Sequence, residues 1–174
     1  GGRGGMPGTG RASFEGDVVG RAEGFARDAL ASNDGSQDLW HVERVRASAV
    51  ALARLEGANA FVCELAALLH DVDDWKYARG DGAKSRARTF LEDSCADVDA
   101  ATRETVLDVC ARIGFKSELE RAEKSRADDD EESVEFRCVQ DADRLDAIGA
   151  IGIGRTFCFG GARGNPMHVP GVPP

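Results

Sequence analysis

The sequence predicts an all-α protein with a single folded domain. Apolar residues recur at a spacing close to the helical period along most of the chain, and the alternation typical of half-buried strands is nearly absent. The 174 residues suit one domain, and 42% hydrophobic with 30% charged residues is an ordinary balance for a chain that buries a core. We therefore expect a bundle of helices around one core.

Turn-forming residues divide the chain into consecutive helices. The segment SNDGS precedes the second helix, and the glycine-containing segment RGDGAK precedes the fourth. Glycines within the last helical segment favour either one long helix or two in sequence, and the charged stretch SELERAEKSRADDDEES is either a solvated helix or a mobile insertion. The expected helices cover residues 15–31, 37–56, 58–71, 83–94, 99–113 and 133–161.

The two ends of the chain differ from the part between them. Residues 1–14 are rich in glycine and lack the apolar stretch of a secretory signal, so we expect a disordered tail or the remnant of a targeting or expression-derived segment. The folded domain is predicted over 15–162. Residues 163–174, punctuated by glycine and proline, are predicted to form an irregular tail.

The composition excludes several classes of partner. A net charge of −9 disfavours nucleic acid polymers and anionic membranes, and no apolar run approaches the roughly 20 residues of a membrane span. A small-molecule nucleotide stays compatible, because a bound metal and a few local cations reverse the sign of the potential inside a pocket. Five cysteines without a C-x-x-C pair indicate reduced thiols and a cytoplasmic protein, with an organelle as the alternative if the N-terminus is a transit remnant.

The stretch LAALLHDVDDWKY ends an apolar helix in a dense group of ionisable residues. His70 lies above Ala66 and Ala67, small side chains that let another helix come close, and Asp71 lies about 100° further round the helix. The electronegative C-terminus of a helix favours a cation beside this pair. For the dipeptide alone, a polar pair bonded to the backbone is the favoured interpretation.

His41 opens the preceding helix on its predicted inward face, which also carries Val45, Ala49 and Leu52. Arg44, one turn further along, can point toward the same end of the helix. A lone inward-facing histidine is usually a satisfied core residue, so His41 gains significance only beside a second histidine.

Asp141, in the stretch VQDADRLDAIGAIG, shares a predicted face with Leu145 and Ile148. A carboxylate on an apolar face is costly unless it is paired or binds a metal, and Arg144 on the same face is the alternative partner. Asp143 and Asp146 fall on the other side of this helix, where we expect solvent-facing or N-cap groups.

Taken together, two imidazoles and two carboxylates suit Mn²⁺, Fe²⁺, Co²⁺ or Zn²⁺ with water in the open positions. The order His41, His70-Asp71, Asp141 resembles the H…HD…D signature of the HD-domain metal-dependent phosphohydrolases. The blocks HVERV, LAALLHDVDDWK, IGFK, QDADRLDAIGAIGIGRTF and GG..GNPMH resemble the small stand-alone bacterial-type HD hydrolases, nucleotide pyrophosphohydrolases among them. This resemblance covers about residues 36–168 and implies a helical bundle with the metal site among the helices.

Position by position, the resemblance implies that His41, His70, Asp71 and Asp141 bind one divalent metal ion. Mn²⁺ is favoured, and Mg²⁺, Co²⁺, Fe²⁺, Ni²⁺ and Zn²⁺ are alternatives. Asp74 is implied as the residue that orients or deprotonates the attacking water.

The resemblance also implies contacts to substrate phosphate from Lys76 and Arg44, and less directly from Lys116 and Arg144. The expected activity is a divalent-metal-dependent phosphohydrolysis of a nucleotide, such as cleavage of a nucleoside triphosphate to the monophosphate and pyrophosphate. Positioning and cations near the phosphate oxygens are what phosphoryl transfer chiefly requires. A homodimer is a compatible assembly.

Two other interpretations stay open. Chains of the resembled group continue after GNPMH with helices that cover the pocket, whereas this sequence ends in VPGVPP. That departure favours either an incomplete chain or a non-catalytic HD scaffold that binds metal and nucleotide or a protein partner. The remaining interpretation is a purely structural helical domain in which His41 and Asp141 are satisfied core polar groups.

Overall fold

The computed structural model describes residues 8–73, 85–114 and 132–171, and the regular elements within these ranges are all helices. The predicted all-α class is therefore confirmed. No described helix combines the length and the apolar character that crossing a bilayer requires. The helices are α1 (Gly8–Leu30), α2 (Leu39–Glu56), α3 (Ala60–Leu69), α4 (Arg86–Asp93), α5 (Ala100–Arg112), α6 (Val134–Leu145) and α7 (Gly149–Ala162).

Most helix positions agree with the hydrophobic periodicity. One helix start differs from the prediction, and the structure decides between the two alternatives for residues 133–161. The first helix begins at Gly8 rather than at residue 15, so it extends into the segment expected to be disordered. The segment 133–161 forms two helices, α6 and α7, and Gly149 begins the second with a φ of 64°, a conformation that favours glycine. The charged stretch between α5 and α6 lies almost entirely outside the described residues.

Side-chain caps fix where several helices begin. The residues preceding α2 to α6 each accept a hydrogen bond from a backbone N–H of the first turn, which satisfies a donor that the helix itself leaves free. These caps are Asp38, Asn59, Ser85, Asp99 and Ser133. The cap of α2 holds His41 in the first helical turn, because Asp38 bonds to the His41 N–H at 3.0 Å.

Helix α3 is the centre of the core. It packs against α1, α2, α5 and α6, and its apolar side chains point in all directions, as expected of a helix that is surrounded by others. Its buried residues are Val62, Cys63, Leu65, Ala66, Ala67, Leu68 and Leu69. Because α3 runs through the core, the residues that follow its last turn, His70 and Asp71, emerge inside the bundle rather than at its surface.

Helix α7 is attached differently from the rest. Gly152 is its buried residue, and a Cβ at that position would collide with the backbone of Ala147. Arg155 adds a polar attachment by donating a hydrogen bond from Nε to the Ser36 carbonyl at 2.6 Å. Ile153 and Phe157 are exposed. Close packing on the turn before α7 and the hydrogen bond of Arg155 therefore hold α7 against the bundle, together with an ion pair at 3.3 Å between Arg163, at the end of α7, and Asp34.

Candidate metal centre

His41 and His70 meet at the inner ends of their helices. His41 lies in the first turn of α2, and His70 directly follows the last residue of α3. Both side chains are buried, and the ring centroids lie 5.3 Å apart in an edge-to-face arrangement. The packing of α2 on α3 thus brings together two histidines that are distant in the sequence.

Hydrogen bonds at Nδ1 determine which ring nitrogen of each histidine faces the space between them. His70 Nδ1 lies 2.7 Å from the Ala67 carbonyl oxygen, and His41 Nδ1 lies 2.7 Å from Asp146 Oδ2. A carbonyl and an ionised carboxylate can only accept hydrogen bonds, so Nδ1 of each ring carries the hydrogen. In the neutral form of each ring the lone pair is then on Nε2, which points inward.

Two carboxylates approach the same two Nε2 atoms. Asp71 places Oδ2 at 3.4 Å from His41 Nε2 and Oδ1 at 3.5 Å from His70 Nε2. Asp143, from α6, places Oδ1 at 3.4 Å from His41 Nε2 and at 3.8 Å from His70 Nε2. One ligand atom from each of His41, His70 and Asp143 lies within 4.8 Å of the others. We call His41, His70, Asp71 and Asp143 the His-Asp cluster.

The His-Asp cluster fits a divalent metal ion. The Nε2 atoms of His41 and His70 are buried and form no hydrogen bond of acceptable geometry among the described residues, although buried polar atoms are normally paired. Ligand atoms about 2.0–2.2 Å from one ion lie roughly 3.0–3.5 Å apart, close to the separations of the cluster. Imidazole and carboxylate donors together suit Mn²⁺, Fe²⁺, Co²⁺ and Zn²⁺.

Electrostatics couple the histidines to the carboxylates. Burial by itself would lower the pKa of His41, but the carboxylates of Asp143 and Asp71 outweigh burial and raise this pKa to about 9. Burial would raise the pKa of Asp143, but contact with His41 and the charge of His70 lower it. Without a metal the cluster therefore holds positive charge on His41 between two carboxylates, a place that a cation can take.

Asp146 lies behind His41, on the side away from the His-Asp cluster. Arg44 donates to both of its oxygens, from Nε to Oδ1 at 2.6 Å and from Nη2 to Oδ2 at 2.9 Å, and Arg155 Nη1 lies 3.2 Å from Oδ2. Burial opposes ionisation of Asp146, but the bonds to Arg44 and His41 lower its pKa. The carboxylate is thus kept in its charged form.

The structure corrects the predicted face of α6. Asp141 is exposed and lies outside the His-Asp cluster, whereas Asp143, expected to face solvent, belongs to it. The sequence interpretation took Leu145 and Ile148 as core residues on the same face as Asp141, but they are 51% and 62% exposed. The prediction of Asp141 as the fourth ligand therefore followed an apolar stripe that faces outward.

A second stripe on α6 marks the inward face. Phe136 and Val139 are fully buried, and continuing this spacing by four and then three residues gives Asp143 and Asp146. Asp146, also expected to face solvent or to be an N-cap, is buried at the C-terminal end of α6. Both carboxylates could have been found in the sequence by extending the stripe from Phe136 rather than from Leu145.

The two arginines predicted to contact phosphate are engaged with carboxylates in this structure. Arg44 holds Asp146, as described above. Arg144 donates from Nη1 to Asp143 Oδ2 at 2.7 Å and from Nη2 to the Ile113 carbonyl at 3.0 Å. Each arginine therefore holds an aspartate that touches a histidine of the cluster.

The remaining predicted site residues, Asp74, Lys76 and Lys116, lie outside the described residues, so their roles stay predictions. The acidic run after His70 is described as far as Asp73, whose carboxylate accepts hydrogen bonds from the Ser85 hydroxyl at 2.6 Å and from the next backbone N–H at 2.7 Å. Asp73 thus anchors the start of α4 and has a structural function.

Similarity to other proteins agrees with this geometry. The HD domain family model matches residues 39–148. YpgQ of Bacillus subtilis is 32% identical over 145 residues, which cover 83% of this chain and 67% of YpgQ. Among solved structures, an HD-superfamily hydrolase from Bacillus thuringiensis is 32% identical with a TM-score of 0.64, over 92% of this chain and 73% of that one.

A solved complex of Bacillus subtilis YpgQ with ADP is similar as well, with 27% identity and a TM-score of 0.67 over 90% of this chain and 72% of that one. The segment matched by the family model contains the whole His-Asp cluster together with Asp146. The chain belongs to the HD domain family and has the fold of an HD-superfamily hydrolase.

Proposed function

We propose that the protein is a divalent-metal-dependent phosphohydrolase that acts on a nucleotide. The observation that carries the proposal is the pair of buried Nε2 atoms of His41 and His70. Neither nitrogen has a hydrogen-bond partner among the described residues, and both face two carboxylates. A purely structural core would satisfy these atoms. In this proposal His41, His70, Asp71 and Asp143 hold one ion, with Mn²⁺ as the first candidate.

A bound ion supplies Lewis acidity, which makes water more acidic and polarises phosphate oxygens. The chain's contribution is to hold the donors in place. The two oxygens of Asp143 have different contacts: Oδ1 faces both histidines, and Oδ2 accepts a hydrogen bond from Arg144. We propose Asp74 as the residue that orients water, and Lys76 and Lys116 as contacts to phosphate.

The choice of a nucleotide is supported by the complex of YpgQ with ADP. A chain with a net charge of −9 repels a polyphosphate in general, and a bound divalent cation supplies the local positive charge that favours attracting one to this site. Within the nucleotide class, we propose a nucleoside triphosphate as the substrate, with the monophosphate and pyrophosphate as products.

The test is an assay of Mn²⁺-supplemented protein against nucleoside tri-, di- and monophosphates that resolves phosphate from pyrophosphate. Asp143→Asn removes a carboxylate of the cluster, and Asp141→Asn is the matched control, because it makes the same chemical change at an exposed position of the same helix. We expect pyrophosphate from the wild type and from Asp141→Asn, and none from Asp143→Asn.

Equal rates in wild type and Asp143→Asn would contradict the proposal. Release of phosphate from nucleoside monophosphates would indicate a nucleotidase activity instead. A protein that retains Mn²⁺ and binds nucleotide, yet forms no product in a single turnover, would instead be the non-catalytic scaffold.

A further inference from the structure

Asp146 contacts His41 on the side of the ring opposite the other residues of the His-Asp cluster. Its Oδ2 lies 2.7 Å from His41 Nδ1, while His41 Nε2 faces Asp71 and Asp143, each at 3.4 Å. Asp146 is thus separated from the proposed metal by the full width of the imidazole ring. It can affect the metal through His41 without being a ligand.

Cations from two helices fix the position of the Asp146 carboxylate. Arg44 of α2 binds both oxygens, at 2.6 and 2.9 Å. Arg155 of α7 approaches Oδ2 at 3.2 Å, donates to the Asp146 backbone carbonyl at 3.3 Å and donates to the Ser36 carbonyl at 2.6 Å. A carboxylate held in this way accepts hydrogen bonds only, so the hydrogen of His41 stays on Nδ1.

We propose that Asp146 is a positioning residue for the metal centre. Held by Arg44 and by Arg155, its carboxylate orients the His41 ring and fixes the tautomer that presents the Nε2 lone pair to the metal. A carboxylate behind a ligating imidazole also makes that imidazole a stronger donor. The inference rests on the proposed function, since it needs a metal bound by His41, and it makes α7 part of the site through Arg155.

The test measures Mn²⁺ affinity by electron paramagnetic resonance on the full chain. Asp146→Asn removes the charge behind His41, and Asp141→Asn makes the same change on the exposed side of α6. We expect Asp146→Asn to weaken Mn²⁺ binding by about 10- to 100-fold, the usual cost of losing such a partner. Asp141→Asn should bind like the wild type. An affinity of Asp146→Asn within twofold of the wild type would overturn the inference.

Arg155→Met provides a second variant if Asp146→Asn does not fold. Arg155 stands on α7, whose outer residues are exposed, and Asp146 keeps Arg44 as a partner in this variant. We expect a several-fold loss of Mn²⁺ affinity, because the carboxylate behind His41 is then held from one side. Unchanged affinity in a folded Arg155→Met protein would remove α7 from the site.

A spectroscopic readout separates positioning from a general loss of stability. The chain has three histidines, so ¹H–¹⁵N correlations of the imidazole rings in the Zn²⁺-loaded protein resolve each one. Asp146→Asn should shift the Nδ1–H signal of His41 and leave that of His70 in place, because His70 bonds to the Ala67 carbonyl. A purely structural role would lower the melting temperature of the metal-free protein, while the folded variant would keep the His41 tautomer with hydrogen on Nδ1 and the Mn²⁺ affinity of the wild type.

The outcomes also separate this inference from the proposed function. A wild type that binds no Mn²⁺ would overturn both. A wild type that binds Mn²⁺ without hydrolysing any nucleotide, with weaker binding in Asp146→Asn, would overturn the phosphohydrolase and support the positioning role.

Discussion

The two histidines of the centre are built into the protein in different ways. His70 is oriented by its own helix, because its Nδ1 bonds to the Ala67 carbonyl three residues earlier. His41 is oriented by Asp146, 105 residues away in the sequence. The first arrangement exists as soon as α3 is helical, whereas the second needs α6 to be docked on α2.

This difference has a consequence for how the centre responds to change. The His70 side is supported by the most buried helix of the bundle, and its orienting group is a neutral carbonyl. The His41 side is supported by a charged network that includes Arg155 of α7, a helix with one buried residue. Perturbations of the outer helices should therefore reach the metal through His41 rather than through His70.

The largest effect is expected when either imidazole is removed. His41→Ala and His70→Ala should each weaken Mn²⁺ binding by more than about 100-fold, beyond the usual effect of losing a supporting residue. The double variant should bind at least as weakly as either single one, because both side chains serve one ion and their contributions are coupled. Titration of Mn²⁺ followed by electron paramagnetic resonance measures all three. Binding of two ions by the wild type, with only one of them lost in each single variant, would indicate two separate sites.

The features of the centre that depend on one helix were largely predictable from the sequence. An apolar helix with a polar C-terminal end identifies α3, and the His70-Asp71 pair then follows from helical geometry. The apolar face of α2 likewise predicted that His41 faces inward. These inferences worked because helical periodicity and burial agree in both segments.

The contacts between α6 and His41, which join distant parts of the chain, were not predictable in the same way. In α6 two apolar stripes compete, and the one through Leu145 faces outward because α7 leaves it uncovered. Periodicity alone cannot decide which stripe faces the core, since the answer depends on how α6 packs on α2 and α3. Asp141 was therefore predicted in place of Asp143, and Asp146 was missed as the partner of His41.

The pH dependence of metal binding tests the charge on the His41 side. The pKa of His41 in the metal-free protein is about 9, raised by Asp143 and Asp71 against the effect of burial. Below that pH the ring carries a proton on Nε2, which the metal must displace. Mn²⁺ affinity should thus rise by about tenfold per pH unit between pH 7 and 8.5, with release of one proton.

Calorimetry in buffers of different ionisation enthalpy measures that proton release directly. Affinity that stays constant over this pH interval would show that His41 Nε2 is already deprotonated in the metal-free protein.

Arg144→Gln separates two functions for an arginine beside the centre. Arg144 holds Asp143 Oδ2 at 2.7 Å, so its loss should weaken Mn²⁺ binding by about tenfold. The sequence-based prediction of a phosphate contact gives another result: a higher KM for the nucleotide with unchanged metal affinity. Measuring metal affinity and KM on the same preparation decides between them, and Arg137→Gln, on the exposed side of α6, is the control.

The smallest effect is expected from the packing of α7. A Cβ at position 152 would collide with the backbone of Ala147, whereas one at position 154 meets no atom within 4 Å. Gly152→Ala should therefore destabilise the protein by about 1–3 kcal/mol, and Gly154→Ala should stabilise it by up to about 1 kcal/mol through helix propensity. Urea unfolding measures both changes.

Because Arg155 follows Gly152 on the same helix, the displacement of α7 in Gly152→Ala should also loosen Asp146 and weaken Mn²⁺ binding a few-fold, with the ¹⁵N signals of His41 changed and those of His70 preserved. Equal changes at both histidines would mean that the strain spreads through the whole bundle. A response confined to His41 would show that the orientation of His41 through Asp146 depends on α7, while the orientation of His70 at the end of α3 does not.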